Sequence, residues 1–267
     1  FGGGIPVHGS LEAAIAALRR LIDNCAAATG PSLLLAGINR QSLVGPYYKA
    51  FAECCDYAAE KHVALAIKPH GPLNATGPSC RAAIERVRHR NFTLWYDPGN
   101  IYAYSKGKRD PVDDAATVHG LVTGMCVKDY HDSMGVKVTP GDGRVDFPAV
   151  LAQLCRGGFS GGPLVIETLT PGDPDALLRE AVRARRFVER LVRTEQVAGK
   201  PEEAESARRS VLLSKTGGDR ATAYAMSNKI ARRNGRLLCT WIDSSRQNRW
   251  ALVDPDSGKV LYQGRGG

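Results

Sequence analysis

Four apolar runs in this chain end in residues that are costly to bury: "VALAIKPHG" (63–71), "FTLWYDPGN" (92–100), "GMCVKD" (124–129) and "PLVIE" (163–167). Side chains alternate along a strand, so Ala64, Ala66 and Lys68 share one face, and Cys126 shares a face with Lys128. A lysine buried alone costs several kcal/mol, roughly. Two buried carboxylates without a cation repel, and one of them binds a proton. An ammonium between Asp97 and Glu167 removes both costs. As a fixed positive charge, Lys68 can stabilise an enediolate oxyanion. With its pKa lowered by desolvation it can serve as a base or Schiff-base amine. It can also be an inert structural ion pair. Cys126 is a small core residue or a thiolate ligand for a soft metal.

These residues need elements to hold them. Ser10 can cap a helix carrying Leu11, Ala14, Ile15, Leu18, Leu21 and Ile22. "SLLLAGI" (32–38) is a buried strand, followed by a helix near 47–60, a strand to Ile67 and a helix near 79–89. Strands at 92–97, 123–129 and 162–167 alternate with helices near 113–119 and 146–154. Asp173 caps a last helix with Pro174 at its first position and an inward stripe of Leu177, Leu178, Val182, Phe187, Val188 and Leu191. Five apolar strands alternating with helices predict a parallel α/β architecture. No GxGxxG follows a strand, which excludes a Rossmann site. Polar residues at the strands' C-terminal ends are where a (β/α)8 barrel carries its site. Five strands are too few to close such a barrel, so about three βα units are expected before Phe1.

Residues 196–210 ("QVAGKPEEAESARRS") lack an apolar period and predict a linker. Residues 211–267 change texture to short β-like runs, "SVLLSK", "TAYAMSN", "RLLCTWID" and "RWALVDPDSGKVLY", with a turn at "DPDSGK". Asp129 points away from the barrel interior and is expected to pair with a neighbouring strand.

The bulk numbers exclude several classes. The 267 residues with 43% hydrophobic content suffice for a large core. No run of eighteen apolar residues occurs, so no membrane span or membrane partner is expected. The net charge is +9, and 13 Lys/Arg against 7 Asp/Glu place +6 of it after residue 195. That excess is diffuse and lacks interleaved aromatics, so nucleic acid is not an expected partner. Seven cysteines, an odd number with no CxxC pair, predict buried free thiols in a reducing, cytoplasmic compartment. The first residue is Phe1 and no signal-peptide pattern follows it.

In order and spacing, "IKPHG", "WYDPGN", "CVKD", "PGDGRVDF" and "LVIE" resemble the xylose-isomerase-like sugar isomerase/epimerase barrels over residues 1–195. The resemblance implies the last five strands of a TIM barrel. It also implies a divalent metal (Mn, Mg or Zn) held by Glu, Asp, His and Glu, and two acidic groups that move a proton beside a carbonyl. The matching positions are Lys68, Asp97, Cys126 and Glu167, so two of the four ligand types have changed. This makes Asp97, Cys126 and Glu167 the candidate metal ligands, and Glu167 and Lys68 the candidate catalytic residues. His70, Asn100 and Lys128 are candidates for binding a sugar or polyol. His70 is otherwise a loop histidine, and Asn100 otherwise a turn residue.

The segment after residue 210 resembles the opening of a sialidase-like (BNR/Asp-box) propeller in "SNKIARRNGRLLCTWID" and "RQNRWALVDPDSGKV". Two functions follow. One is an isomerase/epimerase, or related lyase, acting on a sugar or polyol with an altered metal site. The other is a non-catalytic sugar-binding barrel coupled to a propeller-like module. An endonuclease on the same barrel needs more metal-binding His and acidic residues than these strand ends supply.

Overall fold

The computed structural model describes residues 2–3, 10–196, 230–233, 236–242, 245, 247–254, 257 and 259–265. The expected linker beyond Gln196 and the runs "SVLLSK" and "TAYAMSN" lie outside these residues.

Each predicted helix and strand between residues 10 and 196 forms, because local signals agree with the apolar pattern. Ser10 caps α1 (Leu11–Ala27), its hydroxyl accepting from the Ala13 N–H at 3.2 Å. Strand β2 (Ser32–Leu35) leads to α2 (Val44–Glu60), β3 (Ala64–Ile67) and α3 (Gly77–Val87), the last opened by a Thr76/Ser79 capping box. Strand β4 (Phe92–Tyr96) runs into α4 (Pro98–Ser105), where the sequence suggested only a turn. Then come α5 (Pro111–Ala116), β5 (Val122–Val127), α6 (Phe147–Arg156), β6 (Leu164–Ile166) and α7 (Pro174–Gln196). Asp173 accepts from the Ala176 N–H at 2.7 Å and caps α7 as expected.

The sheet is parallel throughout, in the order β1-β2-β3-β4-β5-β6, with the two-residue β1 (Gly2–Gly3) pairing to β2. Every strand lies beside its predecessor. That order, with helices between, makes a curled α/β half-barrel and brings all the strands' C-terminal ends to one side.

Alternation divides the strand residues into two cores. Leu33, Leu35, Leu65, Ile67, Leu94, Tyr96, Met125 and Val127 pack with the helices, against residues such as Leu18, Ile22, Phe51 and Phe147. Leu34, Ala66, Trp95 and Cys126, with Val165, form a separate cluster inside the curl. A register shift between Leu94 and Trp95 sets Trp95 opposite Gly124. A β-carbon on Gly124 would come within 2.8 Å of the indole. The small residue therefore makes room for the largest one inside.

Two expectations need correcting. Leu178 and Val182 are 48% and 37% exposed, not inward. The buried face of α7 is set by Ala184 and Leu191, with Phe187 packing on the Phe147 ring at 5.4 Å. At about 100° per residue, Leu177 stays on that face while Leu178 and Val182 turn more than about 100° from it. Asp129 does point out of the curl, but its partner is a loop rather than a strand. Its carboxylate accepts from the backbone N–H groups of Tyr130, Gly141, Gly143 and Val145 at 2.8–3.0 Å.

Beyond residue 229, β7 (Ile230–Arg233), β8 (Arg236–Ile242), β9 (Asn248–Val253) and β10 (Val260–Arg265) form an antiparallel sheet in the order β10-β9-β8-β7. The expected turn at 254–259 closes β9 onto β10, with the Asp254 N–H bonded to the Lys259 carbonyl at 2.9 Å. None of the seven cysteines forms a disulfide, and all but Cys155 are buried. Among the described residues no helix is long and apolar enough to cross a membrane.

Gly124→Ala tests the inner packing. It should destabilise the fold by about 1–3 kcal/mol through overpacking against Trp95, read as a lower denaturation midpoint with an unchanged denaturant slope.

Candidate functional site

The C-terminal ends of β3, β4, β5 and β6 bring Lys68, Asp97, Cys126, Lys128 and Glu167 together. The Lys68 ammonium lies 2.9 Å from Asp97 Oδ2, is bonded to Glu167 Oε2, and lies 3.7 Å from Cys126 Sγ. Lys128 Nζ lies 3.3 Å from Asp97 Oδ2 and 2.9 Å from Glu167 Oε1. Each carboxylate thus meets both ammonium groups. Two positive and two negative charges alternate in a closed ring, and all four side chains are at most 8% exposed.

A polar shell holds the ring. Asp97 caps α4, its Oδ1 accepting from the Asn100 N–H at 3.0 Å. Asn100 Oδ1 accepts from Lys128 at 3.2 Å, and its amide donates to the Pro69 carbonyl at 2.6 Å. Gly99 makes this approach possible, since a β-carbon there would lie 2.6 Å from the Lys128 carbonyl oxygen. Asn100 is therefore a buried link between three strand ends, not a turn residue.

The electrostatics follow from this geometry. Burial alone would raise the Glu167 pKa, but Lys68 and Lys128 outweigh it and hold the group down to about 2. Burial alone would lower the Lys68 pKa; the Asp97 and Glu167 carboxylates beside it outweigh that and hold it well above the ordinary value. Lys68 is therefore a cation in the resting site, a shift opposite to the lowered pKa expected of a base or Schiff-base amine. Burial pushes the Cys126 thiol up, so it stays protonated.

One ligand atom from each of Asp97, Cys126 and Glu167 lies within 4.8 Å of the others, the spacing of a metal-binding group. The residues present do not fit a divalent cation. The Lys68 ammonium already bonds to both carboxylates and touches the sulfur.

His70 is not part of the ring. It follows β3 in a loop, with its imidazole edge-on to Tyr104 at 6.0 Å between ring centres. Burial, then Lys68 and Lys128, lower its pKa and keep it neutral. Two residues near the site gave no signal in the sequence. Asn74, 1% exposed, accepts from Tyr48 Oη at 2.9 Å and the Ile38 N–H at 3.3 Å, and its carbonyl accepts from the His70 N–H at 3.0 Å. Thr168 follows Glu167 and carries a buried hydroxyl. A polar residue in a loop has no periodicity to mark it.

A parallel α/β half-barrel with a polar cluster at the strands' C-terminal ends defines a (β/α)-barrel protein. The family of xylose isomerase-like TIM barrels matches residues 4–188, and the chain belongs to that family. No curated protein matches the chain. Among solved structures, a xylose isomerase domain protein from Planctomyces limnophilus is 22% identical, with a TM-score of 0.57 over 70% of this chain and 69% of its own. A D-psicose 3-epimerase from Clostridium cellulolyticum H10, solved with D-tagatose, is 14% identical with a TM-score of 0.59, covering 71% of this chain and 77% of its own. A probable 3-DHS dehydratase from Bacillus anthracis is 15% identical with a TM-score of 0.52, covering 62% and 68%. At these identities the likeness is one of fold.

The lowered Glu167 pKa gives a signed prediction. The ordinary carboxyl value is 4.5 and the folded value about 2, so this contribution is fully present above about pH 5 and is lost as pH falls towards 2. A shift of this size corresponds to about 3 kcal/mol. Wild-type stability should fall by about that amount between pH 5 and 2. Glu167→Gln should be less stable at pH 7 and lack this part of the acid dependence. Parallel acid slopes for the two proteins would show that the carboxylate is not held by the lysines. Lys68→Met leaves Asp97 and Glu167 facing each other with one cation removed, and should cost about 3–5 kcal/mol in chemical denaturation at pH 7.

Proposed function

We propose that the barrel mouth binds a sugar or polyol and moves a proton beside its carbonyl, as an isomerase or epimerase does, with ammonium groups in place of a metal ion. The observation that carries this reading is the pair of lysine ammoniums bridging Asp97 and Glu167. A substrate carbonyl oxygen that accepts a hydrogen bond from Lys68 takes one of the bonds now held by Glu167. The Glu167 carboxylate then becomes more basic. It takes the proton from the neighbouring carbon, the electron pair moves to the carbonyl oxygen, and the resulting enediolate is stabilised by the Lys68 ammonium. Return of the proton by Glu167 to the adjacent carbon, as the hydroxyl proton passes from one oxygen to the other, gives the isomer; delivery of a proton from solvent to the opposite face of the original carbon gives the epimer, Glu167 then losing its proton to solvent. Lys128 and Asn100 are placed to hold a neighbouring hydroxyl.

A second reading is supported by the saturation of the ring. A base held at about 2 is weak at neutral pH, and both carboxylates are fully partnered. In that reading the barrel binds a sugar without turning it over. The antiparallel sheet after residue 229 is then a partner module, the sialidase-like opening proposed from its sequence.

Deuterium exchange separates the two. D-tagatose and D-fructose incubated with the protein in D2O should gain deuterium at a carbon next to the carbonyl, seen as loss of that proton signal. Glu167→Gln should abolish the gain. Binding without exchange selects the second reading. EDTA should change neither binding nor exchange in the wild type. A double variant, Lys68→Glu with Cys126→His, should instead bind Mn, measurable by calorimetry. EDTA-sensitive binding by the wild type would sink the ammonium proposal.

A further inference from the structure

The loop after β3 is held from three sides. Asn74 ties it to Tyr48 on α2 and to Ile38 after β2, Asn100 binds the Pro69 carbonyl, and Gly71 turns at φ +77°. Gly37 admits it, since a β-carbon at Gly37 would overlap the His70 carbonyl oxygen. All these contacts fix the backbone of His70, yet the imidazole Nδ1 is buried with no hydrogen-bond partner. The loop after β6 shows the same contrast. Thr170 exchanges hydrogen bonds with Thr139 at 3.0–3.2 Å, while the Thr168 hydroxyl, one residue past Glu167, is buried and unpartnered. A buried polar atom without a partner destabilises the fold unless something outside the protein satisfies it. Both orphaned atoms lie on loops that continue strands supplying the charged ring, at the same end of the barrel.

We infer that His70 Nδ1 and Thr168 Oγ1 are ligand-binding atoms that take two hydroxyl groups of a polyhydroxylated ligand held over the Lys68–Asp97–Lys128–Glu167 ring. The inference rests on the sugar-binding reading of that ring; it assigns the His70 candidate a particular atom and adds Thr168 as a specificity-determining residue. The ring's own donors and acceptors satisfy one another, so His70 and Thr168 supply the unsatisfied capacity that distinguishes a hydroxylated ligand from an apolar one. His70, kept neutral, offers Nδ1 as an acceptor or as a donor according to its tautomer, and a hydroxyl complements either.

Two nearly shape-preserving variants test this without presupposing turnover. His70→Phe keeps a ring against Tyr104, and Thr168→Val keeps the β-branched shape; each removes the orphaned atom. A structural role predicts a lower Tm for both. A ligand-binding role predicts a Tm that is unchanged or higher, because an unsatisfied polar atom has gone. Titration with D-tagatose and with D-fructose, followed by saturation-transfer NMR, supplies the second readout, and each variant should bind at least about tenfold more weakly, since a lost hydrogen bond leaves the ligand hydroxyl unpaired. A fall in Tm, or failure to fold, in both variants would overturn the inference, as would unchanged binding. Wild-type protein that binds neither sugar overturns the reading of the ring along with it. Sugar binding that survives both substitutions overturns only the assignment of these two atoms.

Discussion

Everything at the barrel mouth depends on one electrostatic constraint: four charges have been taken out of water together. Lys68, Lys128, Asp97 and Glu167 each lose hydration on burial, a cost of several kcal/mol per ion, roughly. Only a geometry in which every charge meets opposite charges on both sides offsets it. The alternating ring meets that condition, with Nζ–O separations of 2.9–3.3 Å beside the Lys68–Glu167 pair. The features around it serve the same end. Gly99 lets α4 pack against the end of β5, Asn100 completes the coordination of Lys128, and α4 begins where Asp97 can cap it. Remove one charge and the remaining three no longer balance, so the ring is all or nothing.

That constraint also sets an ammonium against a metal at the same point, as the proposed function has it. A divalent ion carries two charges at one point and needs several ligand atoms converging on it. Here the convergence point is taken by an ammonium, and the sulfur beside it keeps its proton because it is buried. The second unit of positive charge is on Lys128, which meets the same two carboxylates. Electrostatically, two lysines against two carboxylates reproduce the net balance of a dication with two carboxylates, but spread it over two centres. In the proposed function, the distributed version offers its hydrogen bonds to two separate oxygens of a ligand. A metal would bind them as a chelate.

Much of this was legible in the sequence, for reasons that can be stated residue by residue. Two-residue periodicity put Lys68 above Ala66 and Ala64, and Lys128 on the face of Cys126. Because parallel βα units all point one way, those parities had to converge. The expectation of an ammonium between Asp97 and Glu167 followed from the cost of burying any of the three alone. What the sequence did not disclose lies where periodicity stops. Helix α4 was hidden because Pro98 and Gly99 mark a turn as readily as a helix start, and only the Asp97 cap decides it. The outward set of Leu178 and Val182 was missed because α7 has apolar residues around more than half its circumference, and packing with Phe147 selects the face. Asp129 was given a strand partner when its four acceptor contacts all go to a loop whose conformation no local pattern predicts. The role of Asn74 likewise exists only once the loops after β2 and β3 are side by side.

The same closure that makes the ring stable limits what it can do unaided. With both carboxylates satisfied, no base stands ready, and the Glu167 proton affinity is set by how many N–H groups it accepts. In the proposed function, chemistry at this mouth depends on exchange: a ligand oxygen replaces a carboxylate oxygen as the partner of Lys68, and only then does Glu167 regain basicity. Exchange conserves the number of hydrogen bonds to the ammonium, so its cost is small compared with opening the ring to water. It also couples binding to activation, because only a ligand with an acceptor at the right position loosens the base. The barrel interior below gives no relief, since Trp95, Leu34, Ala66 and Cys126 fill it with apolar atoms. In the proposed function a ligand meets the ring from the strands' C-terminal ends, beside the loops that carry His70 and Thr168.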